Sequence, residues 1–115
     1  MNAVVNIPDK LFGFFELDTA GTVLYSRTTC DSNHSVFLDL NGRNFFEELV
    51  KFENREEFRR LVNHFVDSET QADSFTFTCC CDEGLMPIRV LLARLRALRD
   101  GEQKTLTLLH IRRAD

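Results

Sequence analysis

The chain has 115 residues, 43% of them hydrophobic, and a formal net charge of −4. This length suits one domain with its own core, so folding requires neither a disulfide framework nor a structural metal. The acidic balance disfavours nucleic acid as a partner, because that affinity comes largely from basic residues that neutralise phosphates. No apolar run reaches the ~20 residues that span a bilayer, and the N-terminal residues lack the pattern of an export signal. These features predict a cytoplasmic protein with reduced cysteines and no membrane partner.

The first predicted element is a β-hairpin. Leu11–Asp18 (LFGFFELD) is rich in β-forming residues, Thr19–Gly21 is a turn that contains glycine, and Thr22–Ser26 is a second strand. The polar stretch that follows, RTTCDSNHSVFLDLNG, suits loops and short helical turns.

Two helix starts are marked by an asparagine with a glutamate three residues later. Asn44 with Glu47, and Asn54 with Glu57, fit the capping box, in which these side chains satisfy free backbone amides of the first turn. The second start leads the longest helix. There the spacing i, i+3, i+4, i+7 predicts one buried face made of Phe58, Leu61, Val62 and Phe65.

Three further strands are predicted in the second half of the chain: Ser74–Cys81, Ile88–Leu98 and Thr105–Arg113. DEGLMP and RDGEQ are the turns between them. The grouped order of elements predicts an α+β domain in residues 1–115, with a five-stranded antiparallel sheet and with short helices and one longer helix packed on one face. Eleven phenylalanines predict a Phe-rich core.

These elements, in this order, resemble the PAS domain from Leu11 to Arg113, and most closely its photoactive yellow protein branch. The resemblance rests on GRNFFEEL, on the spacing from it to EEF (Glu56–Phe58), and on the strand pair FTFT…MPIRVLL. It implies a PAS core over residues 11–113 behind an N-terminal cap segment, residues 1–10. It also implies a signalling role and a pocket between sheet and helices.

The photoactive branch carries its chromophore on a cysteine in the loop after the Gly-x-Asn-Phe-Phe helix. Ten residues beyond Gly42, the corresponding position here is Phe52. The phenolate-binding Tyr and Glu of that branch fall near Ser26 and Cys30, with Tyr25 one place away. These departures argue against a covalent chromophore, and Phe52 would occupy part of its space.

Two functional hypotheses remain open. The first is a PAS-type protein-interaction, dimerisation or regulatory module that acts through the outer sheet face. The second is a sensor of a non-covalently bound small ligand or cofactor, such as haem, flavin or a metabolite. The candidates for lining its pocket are Phe14, Tyr25, Phe46, Phe52, Phe58, Val62, Phe77, Val90, Leu92 and Leu108.

The predicted outer face of Ile88–Leu98 carries an apolar patch that requires a cover. It consists of the interface candidates Leu91, Ala93, Leu95 and Ala97. The cover is either an apolar N-terminal segment, with side chains from Val4 to Phe12, or a second subunit of a homodimer.

Other chemistry has weaker support in the sequence. Three histidines could be considered for haem, namely His34, His64 and His110, but a lone histidine is more often a surface residue. Within the Cys79–Cys81 triplet only the two outer thiols share a strand face, and the spacing fits no zinc motif, so no metal site is predicted. A redox switch requires Cys80 to be exposed. No nucleophile elbow, phosphate loop or HExxH motif indicates an enzyme, and the late arginines, including Arg94, suit solvated strand faces.

Overall fold

The computed structural model describes residues 12–29 and 39–114. Five strands form one antiparallel sheet in the order β2-β1-β5-β4-β3. A 13-residue helix, α1, follows a single π-helical turn. The elements are β1 (Phe12–Leu17), β2 (Val23–Thr29), the π-helical turn (Phe45–Leu49), α1 (Arg55–Asp67), β3 (Ala72–Cys81), β4 (Gly84–Arg99) and β5 (Glu102–Arg113). The predicted α+β class and antiparallel sheet are confirmed.

Strands β3, β4 and β5 run further than their sequence patterns indicated. The predicted DEGLMP turn is only Asp82 and Glu83, because β4 already pairs with β3 from Gly84. Met86, expected in that turn, is buried opposite Cys79. Between β4 and β5 the loop is again two residues, Asp100 and Gly101, both with positive φ (52° and 79°). Such a turn matches the right-handed twist of the strands, so it holds a long hairpin in register.

The core lies between α1, the π-helical turn and one face of the sheet, here called the inner face. Phe58 of α1 stands at its centre, with ring centroids 5.3 Å from Phe77 and 6.3 Å from Phe46. The prediction of a Phe-rich core is confirmed. The predicted helix stripe was too wide, because Phe58, Val62 and Phe65 are buried whereas Leu61 is 41% exposed.

Gly13 changes the alternation of β1. Its φ of +131° is open to glycine, and a Cβ there would clash with the carbonyl oxygen of Arg27. Phe12 and Phe15 consequently both join the core, although strict alternation would place them on opposite faces. Phe12 was expected to help cover the outer face, and that expectation was wrong, because its side chain lies in the core. The other proposed cover residues, in segment 1–11, lie outside the described residues.

Arg94 ties the C-terminus of α1 to β4. Its guanidinium donates hydrogen bonds to the carbonyl oxygens of Phe65 (2.7 Å), Val66 (3.1 Å), Ser68 (2.6 Å) and Thr70 (3.3 Å). It also lies 5.2 Å from the ring centroid of Phe65. The last carbonyls of a helix lack intrahelical partners and carry the negative end of its dipole, which a cation stabilises. The expectation that Arg94 is a solvated strand residue was wrong.

Candidate functional site

The loop between the π-helical turn and α1 packs Phe52 onto the core. Its ring is partly buried, with its centroid 5.5 Å from that of Phe58 and 5.8 Å from that of Phe77. Phe52 is thus a member of the aromatic cluster. It closes the core on the side where the family resemblance would place a chromophore anchor.

The cavity between Phe52 and the core is small. Its volume is about 20 Å³, and the residues that line it are Phe12, Phe45, Leu49, Val50, Lys51, Phe52, Cys79, Met86, Ile88 and Ile111. One water molecule needs roughly 10–15 Å³ by the same measure, whereas small-molecule pockets occupy about 300–1,000 Å³. The core side of Phe52 is therefore filled by side chains, and a separate pocket of about 170 Å³ also borders Phe52, together with Lys51, Glu53 and Cys80–Glu83.

Asn54 holds that loop against the edge strand β3. Its side-chain amide donates to the Thr78 carbonyl oxygen (2.8 Å), and its Oδ1 accepts from the Cys80 backbone N–H (2.9 Å). The backbone N–H of Glu53 adds a bond to the Cys80 carbonyl oxygen (2.8 Å). The predicted capping box with Glu57 was therefore wrong, since the Asn54 side chain makes no helix-cap bond. It bonds to β3 instead.

The other predicted cap is present in a shifted form. The Asn44 Oδ1 accepts from the backbone N–H groups of Phe46 and Glu47, both at 3.1 Å. The reciprocal carboxylate belongs to Glu48, whose Oε2 accepts from the Asn44 N–H at 2.7 Å, and not to Glu47. The turn is π-helical, closed by a bond from the Val50 N–H to the Phe45 carbonyl oxygen, so the cap partner lies one residue later.

The predicted pocket residues divide between the two faces of the sheet. Seven pack in or against the inner-face core: Phe46, Phe52, Phe58, Val62, Phe77, Val90 and Leu92. The other three do not join them. Phe14 pairs with His110, and Leu108 pairs with Ala93 and Glu16, which places them on the opposite face. Tyr25, paired with Glu16, lies on that face too and is 48% exposed.

The outer face is the sheet face opposite α1, and strand register defines its rows. One row runs Ser74, Leu91, His110, Phe14, Arg27, and the next runs Ala72, Ala93, Leu108, Glu16, Tyr25. All four predicted interface candidates lie on this face. Leu91 and Leu95 are 46% and 39% exposed, and Ala93 and Ala97 are partly buried. Leu91 and Leu95 lie two rows apart with Ala93 between them, and together these side chains form an apolar strip that water solvates poorly.

Basic side chains flank this strip at one end. Arg89 of β4 pairs with Arg112 of β5, and both are exposed. Arg27 of β2, also exposed, lies one row further in. Two carboxylates lie on the described part of this face by register, Glu16 and, at the other end of β5, Glu102. The end that carries Arg27, Arg89 and Arg112 is therefore locally basic, although the whole chain carries a formal charge of −4.

The cysteine triplet alternates as the sequence indicated. Cys79 is fully buried against the core, and this burial raises the pKa of its thiol to about 12. Cys80 and Cys81 are partly buried. Such a raised pKa leaves Cys79 as a packing residue, because the thiolate is the reactive form.

The histidines do not meet at one site. His64 is exposed on α1 and His110 is partly buried on the outer face. His34 and Cys30 lie outside the described residues. Among residues 12–29 and 39–114, no group of three His, Cys, Asp or Glu side chains is arranged to hold a metal ion.

No protein-family model matches this chain, and no curated protein matches it in sequence. The PAS resemblance accordingly stays a prediction. Within the described ranges, no helix combines the length and the apolar character that a membrane crossing needs.

Proposed function

We propose that this chain is a PAS-type signalling domain that works by binding another protein chain, without a covalent chromophore. The binding surface is the outer face of the sheet. One observation carries the proposal: the interior beside Phe52 is filled, while apolar side chains stand exposed on the opposite side of the same sheet.

The outer leucines support this proposal on energetic grounds. Burying apolar surface is worth about 25 cal/mol per Å², so two half-exposed leucines on one sheet face provide a driving force for association. Cross-strand pairing in β4 and β5 holds them on a rigid surface, which reduces the entropy lost on binding. Signalling and the cytoplasmic location remain predictions from the sequence.

The alternative function is a sensor of a non-covalent ligand or cofactor, such as haem, flavin or a metabolite. A cavity of about 20 Å³ beside Phe52 would have to expand more than tenfold to reach the usual size of such sites. That expansion requires the Phe52 ring to leave Phe58 and Phe77.

Site-specific photo-crosslinking in cells tests the proposed surface. A photoreactive residue replaces Leu91 on the outer face, and the matched control replaces Leu61, an equally exposed leucine (41% against 46%) on α1. We expect crosslinks to one protein species, or to a second copy, from position 91 alone. Equal crosslinking from both positions, or none from position 91 in a folded protein, would refute the assignment of the outer face.

Sedimentation of the purified chain over a range of concentrations separates a second copy from a different partner. If the chain self-associates through the outer face, Leu91→Asp abolishes the dimer and Leu61→Asp leaves it intact. A dimer that survives Leu91→Asp would place self-association on another surface.

A further inference from the structure

A second cavity lies between α1 and the turn that joins β1 to β2. Its volume is about 270 Å³, and it shares no lining residue with the small core cavity at Phe52. Pockets for drug-sized ligands occupy about 300–1,000 Å³, so this cavity suits a smaller molecule. Three of its polar side chains, each from a different element, indicate what that molecule carries.

The first of them is Thr107, which brings a buried hydroxyl group to the cavity. This residue is only 6% exposed, and its pairing with Leu17 and Arg94 places it on the sheet face that α1 covers. Within the described ranges, the Thr107 side chain makes no hydrogen bond. Buried polar groups in proteins nearly always have a hydrogen-bond partner, because leaving one unpaired costs free energy. The Thr107 hydroxyl therefore points to a polar group that a ligand brings.

Arg59 provides a cation on the helix side of the cavity. It is half-buried, and its guanidinium carbon lies 5.7 Å from the centroid of the Phe46 ring. In the part of the chain that the structure describes, Arg59 forms neither an ion pair nor a hydrogen bond. The ring positions the guanidinium and leaves its N–H donors available. A planar guanidinium in this state matches the two oxygens of a carboxylate.

Asp18 provides an anion on the turn side of the cavity. Its Oδ1 accepts hydrogen bonds from the backbone N–H groups of Ala20 and Thr22, both at 2.9 Å, and these bonds fix the side chain. Its Oδ2 accepts no hydrogen bond from the described residues, and Asp18 forms no ion pair with Arg59. Two opposite charges therefore line one cavity without neutralising each other.

This arrangement selects a ligand that carries both charges. A phosphate would be repelled by Asp18 and a diamine by Arg59, because like charges repel strongly in a partly desolvated site. A zwitterion gains attraction from both side chains. The remaining wall is apolar and suits a short hydrocarbon group; it includes Leu17, Phe46, Val62 and Val66.

We infer that this cavity binds a free α-amino acid whose apolar side chain is about the size of that of leucine. The carboxylate pairs with Arg59, the ammonium group pairs with Asp18, and the Thr107 hydroxyl adds a hydrogen bond. This inference goes beyond the proposed function, because it concerns a small molecule on the side of the sheet opposite the outer face.

Calorimetric titration of the full chain tests the ligand. The probes are L-leucine and two analogues of it: 4-methylpentanoate, which lacks the ammonium group, and 3-methylbutylamine, which lacks the carboxylate. We expect L-leucine to bind with a Kd of about 1 mM or lower, and each analogue to bind at least about tenfold more weakly. Absence of L-leucine binding, or equal binding of either analogue, overturns the inference.

Matched variants test the three polar side chains. Arg59→Gln should weaken L-leucine binding at least about tenfold, whereas Arg60→Gln, the neighbouring arginine on the exposed side of α1, should leave it unchanged. Asp18→Asn should also weaken binding about tenfold, since it removes the charge but keeps the Oδ1 acceptor of the turn. Equal affinity of the wild type and either the Arg59 or the Asp18 variant would refute the charge pairing.

Thr107→Val separates a ligand contact from a structural role. Valine has nearly the same shape, so this variant should weaken L-leucine binding by about three- to tenfold. Its melting temperature should stay the same or rise, because the hydroxyl makes no hydrogen bond within the described ranges. A lower melting temperature with unchanged affinity would show that the hydroxyl serves the fold and would contradict the inference.

Amide NMR spectra recorded during the titration locate the ligand. We expect shifts in residues 18–22, in residues 59–66 and at Thr107. Shifts centred on Phe52 would place the ligand in the core instead and would overturn the assignment. Crosslinking from position 91 is independent of these results, so failure of the amino-acid site leaves the proposal for the outer face intact.

Discussion

Replacing Arg94 with methionine should destabilise the protein by about 2–4 kcal/mol. The guanidinium bonds to the carbonyl oxygens of Phe65, Val66, Ser68 and Thr70 at 2.6–3.3 Å. Hydrogen bonds to charged groups contribute about 1.5–3 kcal/mol, and the cation over the Phe65 ring adds about 0.5–1 kcal/mol. Because these terms overlap in one partly solvated group, they do not add in full. Methionine keeps the apolar stem but satisfies none of the carbonyls.

Chemical denaturation followed by circular dichroism measures this loss. The control is Arg96→Met, two residues further along β4 on an exposed side chain. For a domain of this size, a loss of 2–4 kcal/mol lowers the melting temperature by about 8–16 °C. Arg94→Lys should retain part of the stability, since an ammonium offers a cation without the planar fork. If the unfolding free energies of Arg94→Met and Arg96→Met lie within about 0.5 kcal/mol of each other, the hydrogen bonds from Arg94 to these carbonyl oxygens do not stabilise the fold.

Three further predictions concern the loop and the core. Asn54→Ala should lower the unfolding free energy by about 1–3 kcal/mol, because both side-chain hydrogen bonds to β3 are lost. The control Asn63→Ala, on the exposed side of α1, should change it by less than about 0.5 kcal/mol. Phe52→Ala should cost about 2–4 kcal/mol and open the cavity to xenon, detectable by NMR; unchanged stability would show that the ring does not pack on Phe58. The Cys79 thiol should resist a thiol reagent in the folded protein. The free energy of unfolding should fall as pH rises from about 9 toward 12, because the thiol ionises at lower pH in the unfolded chain than in the folded one. Cys79→Ala should reduce that fall.

Local periodicity in the sequence was sufficient to predict which of these strand and helix residues lie in the inner-face core. Alternation in β3 and β4 placed Phe77, Val90 and Leu92 in the core, and helical spacing placed Phe58 and Val62 opposite them. The period of a strand says which residues share a face, but not which of the two faces is covered. That choice comes from pairing with other strands.

The residues that the sequence misplaced depend on long-range contacts. Phe14 lies on the outer face because it pairs with His110, nearly a hundred positions away in the chain. Arg94 and Asn54 bond to backbone groups 24 to 29 residues distant. Polar side chains can bond to any backbone group that the fold brings near, so spacing in the sequence gives no signal for such bonds.

The division of β4 into two apolar sets supports the proposed binding role of its outer set. Ile88, Val90 and Leu92 are buried, and alternation then requires Leu91, Ala93 and Leu95 to face the other way. The inner core does not need the outer set to be apolar, since polar residues at those positions would leave the inner packing unchanged. Exposed leucines instead carry a solvation cost and a risk of aggregation, which a binding partner removes. Arg94, on the inner side of the same strand, holds α1 in place, so the face proposed for binding is backed by a fixed helix.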